Sequence, residues 1–402
     1  MQRRSAFVLL LGLTACDQNQ SGNLAATHFG DLSHPAERGS ALEPFETACG
    51  DGAMTEPIGR RPYLQRVTSS SAMLGWVAAP PSERIDVRRI DGGSVIDAVG
   101  VPTSGSDRAL GERQMWATLP DLVPDTIYCY GLAGAAPMSA RTGFRTAPLA
   151  TSTKPIRILA FGDSGGGGSD QIALRDQMLD FPYDMIIHTG DVAYESGTLQ
   201  EFQANVFDIY ADIFKNIPFF PAAGNHEYNT KDAVPFGEVF ALPGTTGEKW
   251  YSYDWGFIHF VALDTEADYA TQAAWLDQDL ADSKQPWKIV YLHRPPYSSG
   301  NHGSDTSLRR VLSPIVEKHG VQLVLAGHDH DYERMKPQGG VSYVVTGGGG
   351  RGTYNVGESD FTAFSAEVIH FTYIEVTPDV LTLHAIDGTG IEFDSLVIPR
   401  AP

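Results

Sequence analysis

Cysteine is scarce, with three in 402 residues. That excludes a small domain built on disulfides and a zinc site made of four thiolates. No apolar run approaches the ~18 residues of a bilayer-spanning helix. Basic residues are also few: 29 Lys and Arg against 49 Asp and Glu, a formal charge of −20. Such a balance argues against general binding to nucleic acid or to an anionic membrane. There is no internal repeat and no three-residue glycine period, which excludes a collagen-like chain. What remains is ordinary globular composition, 42% hydrophobic and 10% aromatic, with 42 glycines to serve many turns. The length suits two or three domains.

Arg3 and Arg4 precede an apolar stretch over 6–13, the charged start and short apolar centre of an export signal. Next, Leu13-Thr14-Ala15-Cys16 resembles the bacterial lipobox. That resemblance implies removal of residues 1–15, a lipid on Cys16, and a lipoprotein anchored to a membrane facing the periplasm or the cell exterior. Residues 16–55 mix Gly, Ser, Pro, Asp and Asn without sustained periodicity and read as a tether or an irregular packed arm. Export would leave Cys49 and Cys129 in an oxidising compartment. Strand alternation sets Cys129 opposite Tyr128 and Tyr130. If the tyrosines face the core, Cys129 faces outward, within reach of an arm carrying Cys49. A disulfide and two free thiols both stay open here.

Residues 56–148 read as short strands between turns, for example over 71–77, 85–89 and 126–132, and suggest an all-β sandwich with an accessory role. From 153 to 400 strands alternate with helices, which predicts an α/β domain with stacked sheets. The expected helices cover 170–180, 199–215, 270–284 and 307–319, the last interrupted by Pro314.

Asp163, Asp191, Asn225, His293 and the pair His328 and His330 all fall at ends of expected strands, where open α/β sheets build their sites. Singly each is weak, because Gly-Asp is usually a turn or helix cap. Their recurrence at successive strand ends carries the argument. Asp191 and Tyr194 are three apart, so one helix-like turn puts both on one side. His328 and His330 are two apart, so an extended segment aims both the same way and Asp329 the other. Carboxylates, a phenol, an amide oxygen and imidazoles suit iron, manganese or zinc. Seven donors exceed one metal and fit two that share a carboxylate bridge.

The ordered blocks Asp163-Ser164-Gly165, Gly190-Asp191-Val192-Ala193-Tyr194, Gly224-Asn225-His226-Glu227, Val290-Tyr291-Leu292-His293 and Gly327-His328-Asp329-His330 resemble the five motifs of purple acid phosphatases, a group within the calcineurin-like metallophosphoesterase superfamily. The likeness runs from about 156 to 387. It extends to the sandwich, whose Pro62-Tyr63-Leu64-Gln65 entry and Phe144-Arg145-Thr146-Ala147-Pro148 exit are similar to the family's fibronectin-III-like domain. It implies an α/β/β/α catalytic domain with two metal ions. Asp163, Tyr194 and His330 would hold Fe(III), Asp191 would bridge, and Asn225, His293 and His328 would hold a divalent Fe, Zn or Mn. His226 and His302 would contact the substrate. Other superfamily members commonly have His where this chain has Gly165, and lack a counterpart of Tyr194.

The activity implied is hydrolysis of small phosphate monoesters by in-line attack of a metal-bound hydroxide. A phosphodiesterase or phytase on the same fold is the alternative. A remote one is a trypsin-like protease, because Gly162-Asp163-Ser164-Gly165-Gly166 matches that nucleophile motif. The remaining histidines, His28, His34, His188, His259, His319, His370 and His384, read as structural or surface residues. Glu333-Arg334 reads as a structural ion pair. Gly347–Gly350 either approaches the site or forms a flexible turn.

Overall fold

The computed structural model describes residues 35–50, 59–78, 84–90, 95–102, 113–132, 142–244 and 249–400. The expected leader over residues 1–15, Cys16, His28 and His34 lie outside them.

Two four-stranded sheets form the first domain. One orders Arg60–Gln65, Ala72–Ala78, Arg113–Leu119 and Val101–Pro102; the other orders Val95–Val99, Arg84–Arg89, Ile127–Leu132 and Thr142–Arg145. Tyr128 and Tyr130 are buried against Phe144. Cys129, on the other face, is bonded to Cys49. The arm is therefore not a tether over its described part. Gly39 and Ala41 donate backbone hydrogen bonds to Asp180 and Leu179, and Glu43–Cys49 is a helix with proline in its first turn. Acidic Glu43 and Glu46 complement that helix's N-terminus, and buried Phe45 anchors it. It lies on Thr142–Arg145, where a side chain at Gly143 would meet Cys49 Sγ at 2.7 Å.

The sandwich is hydrogen-bonded to the second domain. Tyr63 and Tyr130 donate to the carbonyls of Val239 and Lys215, both at 2.5 Å. Gln65 donates to Phe219 O at 3.1 Å.

The second domain stacks two mixed sheets. The first runs Phe219–Pro221, Met185–His188, Ile156–Phe161, His370–Val376, Val380–Asp387 and Glu392–Pro399. The second runs Tyr251–Trp255, Ile258–Ala262, Trp287–Tyr291, Leu323–Ala326, Ser342–Thr346, Tyr332–Met335 and Thr362–Ala366. Alternation on each strand makes the layers. Ile158, Ala160 and Ile187 face Phe260, Ile289 and Leu325 across the middle. Leu159, Phe161 and Ile186 point outward onto Leu174 and Met178 of helix Ser169–Met178. Val261, Val290 and Val324 point the other way, onto helices Tyr269–Asp282 and Thr306–Lys318. The strands nearest the centre are buried on both faces, as parallel strands require, and the layering is α/β/β/α.

Two helix expectations need correction. The stretch over 199–215 is broken into Leu199–Phe202, a π-turn Gln203–Phe207 and Ala211–Phe214. The wider turn leaves Phe202, Val206, Phe207, Tyr210, Ile213 and Phe214 all buried. Pro314 does not interrupt Thr306–Lys318, because the buried row Leu308, Leu312 and Val316 holds that helix on the sheet.

His259 is structural, as its alternation suggests. Its ring lies between Asp254 Oδ1 at 2.7 Å and Asp279 Oδ2 at 2.8 Å. Burial alone would lower its pKa, but the hydrogen bonds and charges of the two carboxylates raise it to about 9. A raised folded-state pKa gives stability that is full below the free value of about 6.5 and is lost as pH rises through about 9. Thermal melts of His259→Gln against the parent chain are expected to differ at pH 6 and to converge at pH 10.

Candidate metal centre

Each predicted donor sits just past a strand of the central layers. Asp163 follows Ile156–Phe161, Asp191 follows Met185–His188, Asn225 follows Phe219–Pro221, His293 follows Trp287–Tyr291, and His328 follows Leu323–Ala326. Asp163, Asp191 and His328 take left-handed backbone, with φ of 58°, 52° and 72°. Each such residue costs about 1–2 kcal/mol, and three of the donors bear that cost where their side chains converge. The turns are laced together: Asp163 N donates to Gly190 O at 3.0 Å and Tyr194 N to Gly165 O at 2.9 Å. The Asp191 and Tyr194 side chains do meet, with Tyr194 Oη 3.0 Å from Asp191 Oδ2, but not through the helix-like turn expected, because Asp191 is left-handed and the Tyr194 amide bonds to Gly165 O. The His328–His330 segment is bent rather than extended, contrary to the spacing argument, because His328 is left-handed. Both rings still reach the centre.

The donors form two halves. Tyr194 Oη lies 3.1 Å from Asp163 Oδ1, 3.0 Å from Asp191 Oδ2 and 3.1 Å from His330 Nε2. His293 Nε2 lies 3.1 Å from Asn225 Oδ1, 3.3 Å from Asp191 Oδ2 and 3.1 Å from His328 Nδ1. Asp191 Oδ2 belongs to both halves. Metal–ligand bonds of about 2.1 Å in an octahedron set donor–donor edges of about 3.0 Å, so the observed spacings suit two cations around a shared carboxylate. Asp191, His293 and His328, all buried, each offer a ligand atom within 4.8 Å of the other two.

The electrostatics agree. Burial, reinforced by Asp163 and Asp191, holds the Tyr194 phenol well above its ordinary pKa, so only a strongly acidic cation would make it a phenolate. Burial and then His293, His302 and Arg294 lower His328 to about 2, leaving a neutral imidazole suited to ligation. Burial would raise the Asp191 carboxyl, but His293 and His226 hold it well below the usual range.

Two glycines are required by close approach. A side chain at Gly165 would meet Val192 O at 1.8 Å, so no histidine fits there. A Cβ at Gly224 would lie 2.2 Å from Asp191 Oδ1. Gly224→Ala is expected to displace the shared carboxylate and lower turnover at least about a hundredfold, with metal content falling alongside in elemental analysis.

Residues 156–332 match the family described as calcineurin-like phosphoesterase. The chain carries a calcineurin-like phosphoesterase domain. Among curated relatives, acid phosphatase type 7 of Homo sapiens is 29% identical over 253 residues, covering 55% of this chain and 56% of that protein. Tartrate-resistant acid phosphatase type 5 of Oryctolagus cuniculus is 26% identical over 302 residues, covering 62% of this chain and 92% of that one. The match thus spans little more than half of the human relative. A purple acid phosphatase from yellow lupin (Lupinus luteus) seeds shares the fold at a TM-score of 0.74 and 20% identity, covering 84% of this chain and 74% of the lupin chain.

The two substrate candidates flank the donor cluster. The His226 ring is 4.3 Å from that of Tyr194, and its Nδ1 lies 2.7 Å from Glu195 O, which leaves Nε2 free and 3.9 Å from Asp191 Oδ2. His302 is exposed and stacks on His328 at 4.2 Å.

The protease alternative fails on geometry. Ser164 and His188 are both buried, with Ser164 Oγ 2.9 Å from His188 Nε2. Gly190 N donates to His188 Nδ1 at 3.2 Å. The ring proton is therefore on Nε2 and points at the hydroxyl, the reverse of a general base.

His319, His370 and His384 are packing residues, bonded to Asp277, Thr346 with Val368, and Glu392. Glu333 and Arg334 do not pair with each other. Glu333 accepts from Ser299 N and Thr362 Oγ1, and Arg334 forks onto Asp394. Being adjacent on a strand, they point to opposite sides. Gly347–Gly350 is a buried turn that approaches the site, with Gly349 N bonded to Gly162 O at 2.9 Å.

Sequence reasoning missed four neighbours. Glu227 is buried and accepts from the amides of Val192, Ala193 and Gly224, while burial and Asp191 push its carboxyl up to about 8. Arg294 reaches His328 Nε2 at 3.1 Å and is held by Glu266. Arg351 lies over the Tyr194 ring and pairs with Glu195. Tyr354 stacks on His330 at 4.0 Å. Glu227 and Arg294 sit in or beside the motif blocks, a usable signal. Arg351 and Tyr354 had none beyond the preceding glycines.

Proposed function

We propose that this chain is an exported binuclear-metal hydrolase of small phosphate monoesters. The observation that carries the reading is Asp191 Oδ2 standing about 3 Å from donors of both halves of the cluster. Asp163, Tyr194 and His330 would hold a trivalent iron; Asn225, His293 and His328 would hold a divalent iron, zinc or manganese. When bound, such a pair supplies Lewis acidity toward the phosphoryl oxygens and an activated water.

The rest belongs to the chain's own side chains. His226 and His302, on either side of the cluster, hydrogen-bond the phosphoryl oxygens. His226 donates Nδ1–H to Glu195 O, which leaves Nε2 turned toward the cluster, 3.9 Å from Asp191 Oδ2; with a second proton there, the ring would serve as the acid for the leaving-group oxygen. Asp191 sets the separation of the two halves. The Cys49–Cys129 bond supports residence in an oxidising compartment, and the Cys16 lipid completes the localisation part of the reading.

Parallel assays on a phosphate monoester, a diester and an inositol phosphate test it, each with and without chelator. The expected result is chelator-sensitive turnover that favours the monoester. Chelator-resistant turnover, or preference for the diester or inositol phosphate, refutes it.

A further inference from the structure

Segment 328–333 has two working sides. His328 and His330 point into the metal centre. Asp329 and Glu333 point away from it, onto the loop of residues 298–305 that carries His302. Asp329 Oδ1 accepts from His302 N at 2.6 Å, and its Oδ2 accepts from Ser298 Oγ at 2.5 Å and Gly303 N at 3.2 Å. Glu333 Oε2 accepts from Ser299 N at 2.6 Å, and its Oε1 from Thr362 Oγ1 at 2.6 Å. Gly300 packs so closely that a Cβ there would lie 2.6 Å from Asp329 Cγ and 2.4 Å from Asp331 Oδ2. The loop backbone is thus clamped on both sides of His302, while the His302 residue itself is exposed.

An exposed histidine on a polar loop loses rotamer and backbone freedom when it must meet a ligand. Charge-assisted hydrogen bonds to its own amide and to the next remove that cost in advance. We infer that Asp329, assisted by Glu333, is a positioning residue that holds His302 for the substrate phosphate. Because Asp329 lies between two metal-binding histidines, the ligand segment and the substrate loop are set in register by one carboxylate. This inference rests on the phosphatase reading for the role of His302, but not for the clamp.

The test uses the full metal-loaded chain and three readouts: metal ions per chain, amide hydrogen exchange over 298–303, and affinity for inorganic phosphate. The variants are Asp329→Ala, Asp329→Asn, Glu333→Gln, His302→Ala and the double variant Asp329→Ala/His302→Ala. Asp329→Ala is expected to keep both metals, to speed exchange at the His302 and Gly303 amides, and to weaken phosphate binding about tenfold, as loss of a bond to a charged group does. The double variant should bind phosphate no worse than His302→Ala, since both act through one ring. Asp329→Asn and Glu333→Gln, which preserve shape, should fall between parent and Asp329→Ala, and they carry the test if the alanine variant does not fold. Losses that multiply in the double variant, loss of metal in the asparagine variant, unchanged exchange, or phosphate affinity unaffected by His302→Ala each overturn the inference. A parent chain that cleaves no phosphate ester refutes the phosphatase reading, while exchange and phosphate affinity still decide the clamp.

Discussion

Asp191→Ala removes the one side chain that both halves of the cluster share, and it is expected to abolish metal retention and turnover together. Loss of Tyr194 or His328 withdraws a donor from one half only. Loss of Asp191 removes the oxygen that lies 3.0 Å from Tyr194 Oη and 3.3 Å from His293 Nε2. It also frees the amide of His226, which donates to Asp191 Oδ1 at 2.9 Å. Lewis-acid stabilisation is worth several kcal/mol, so the drop in turnover is expected to be at least about a thousandfold. Elemental analysis beside turnover checks it. A variant that retains both metals at near-parent activity contradicts the bridging role.

The second large effect concerns stability rather than chemistry. Cys49 and Cys129 are separated by 80 positions. Closing so long a loop in the unfolded chain contributes about 4 kcal/mol in the chain-entropy account. Cys49→Ser/Cys129→Ser is therefore expected to lower the thermal midpoint clearly, and reduction of the parent should reproduce the shift. Metal content should not change, because every proposed ligand lies between Asp163 and His330, outside the sandwich and its arm. Equal midpoints for oxidised parent and double variant contradict this.

The site was legible because its chemistry is local to strand ends. Gly-Asp after Phe161, Gly-Asp after His188, Gly-Asn after Pro221 and Gly-His after Ala326 each put a donor two to four residues past a buried apolar strand, and parallel pairing brings those ends together. Glycine in each pair reflects crowding, as Gly224 against Asp191 shows. Strand interiors were equally readable, because burial on both faces demands continuous apolar runs.

What escaped depends on contacts made across the chain. Arg351 reaches Tyr194 from 157 positions later (351 minus 194), and nothing near Gly347–Gly350 announces that docking. The arm helix Glu43–Cys49 has too few residues for a periodic signal, and packing on Thr142–Arg145 and the disulfide hold it. The π-turn at Gln203–Phe207 is set by the crowd of aromatic rings around it, not by propensity. For Glu333 and Arg334, adjacency in sequence suggested a pair, whereas the strand sends them to different partners.

Metal content with a visible spectrum, on protein purified without chelator and on Tyr194→Phe, tests the central claim most directly. Two metal ions per chain and a tyrosinate-to-iron(III) band that vanishes in the phenylalanine variant are predicted. A parent chain that holds fewer than two after reconstitution, or a band that survives the loss of the Tyr194 hydroxyl, would contradict it.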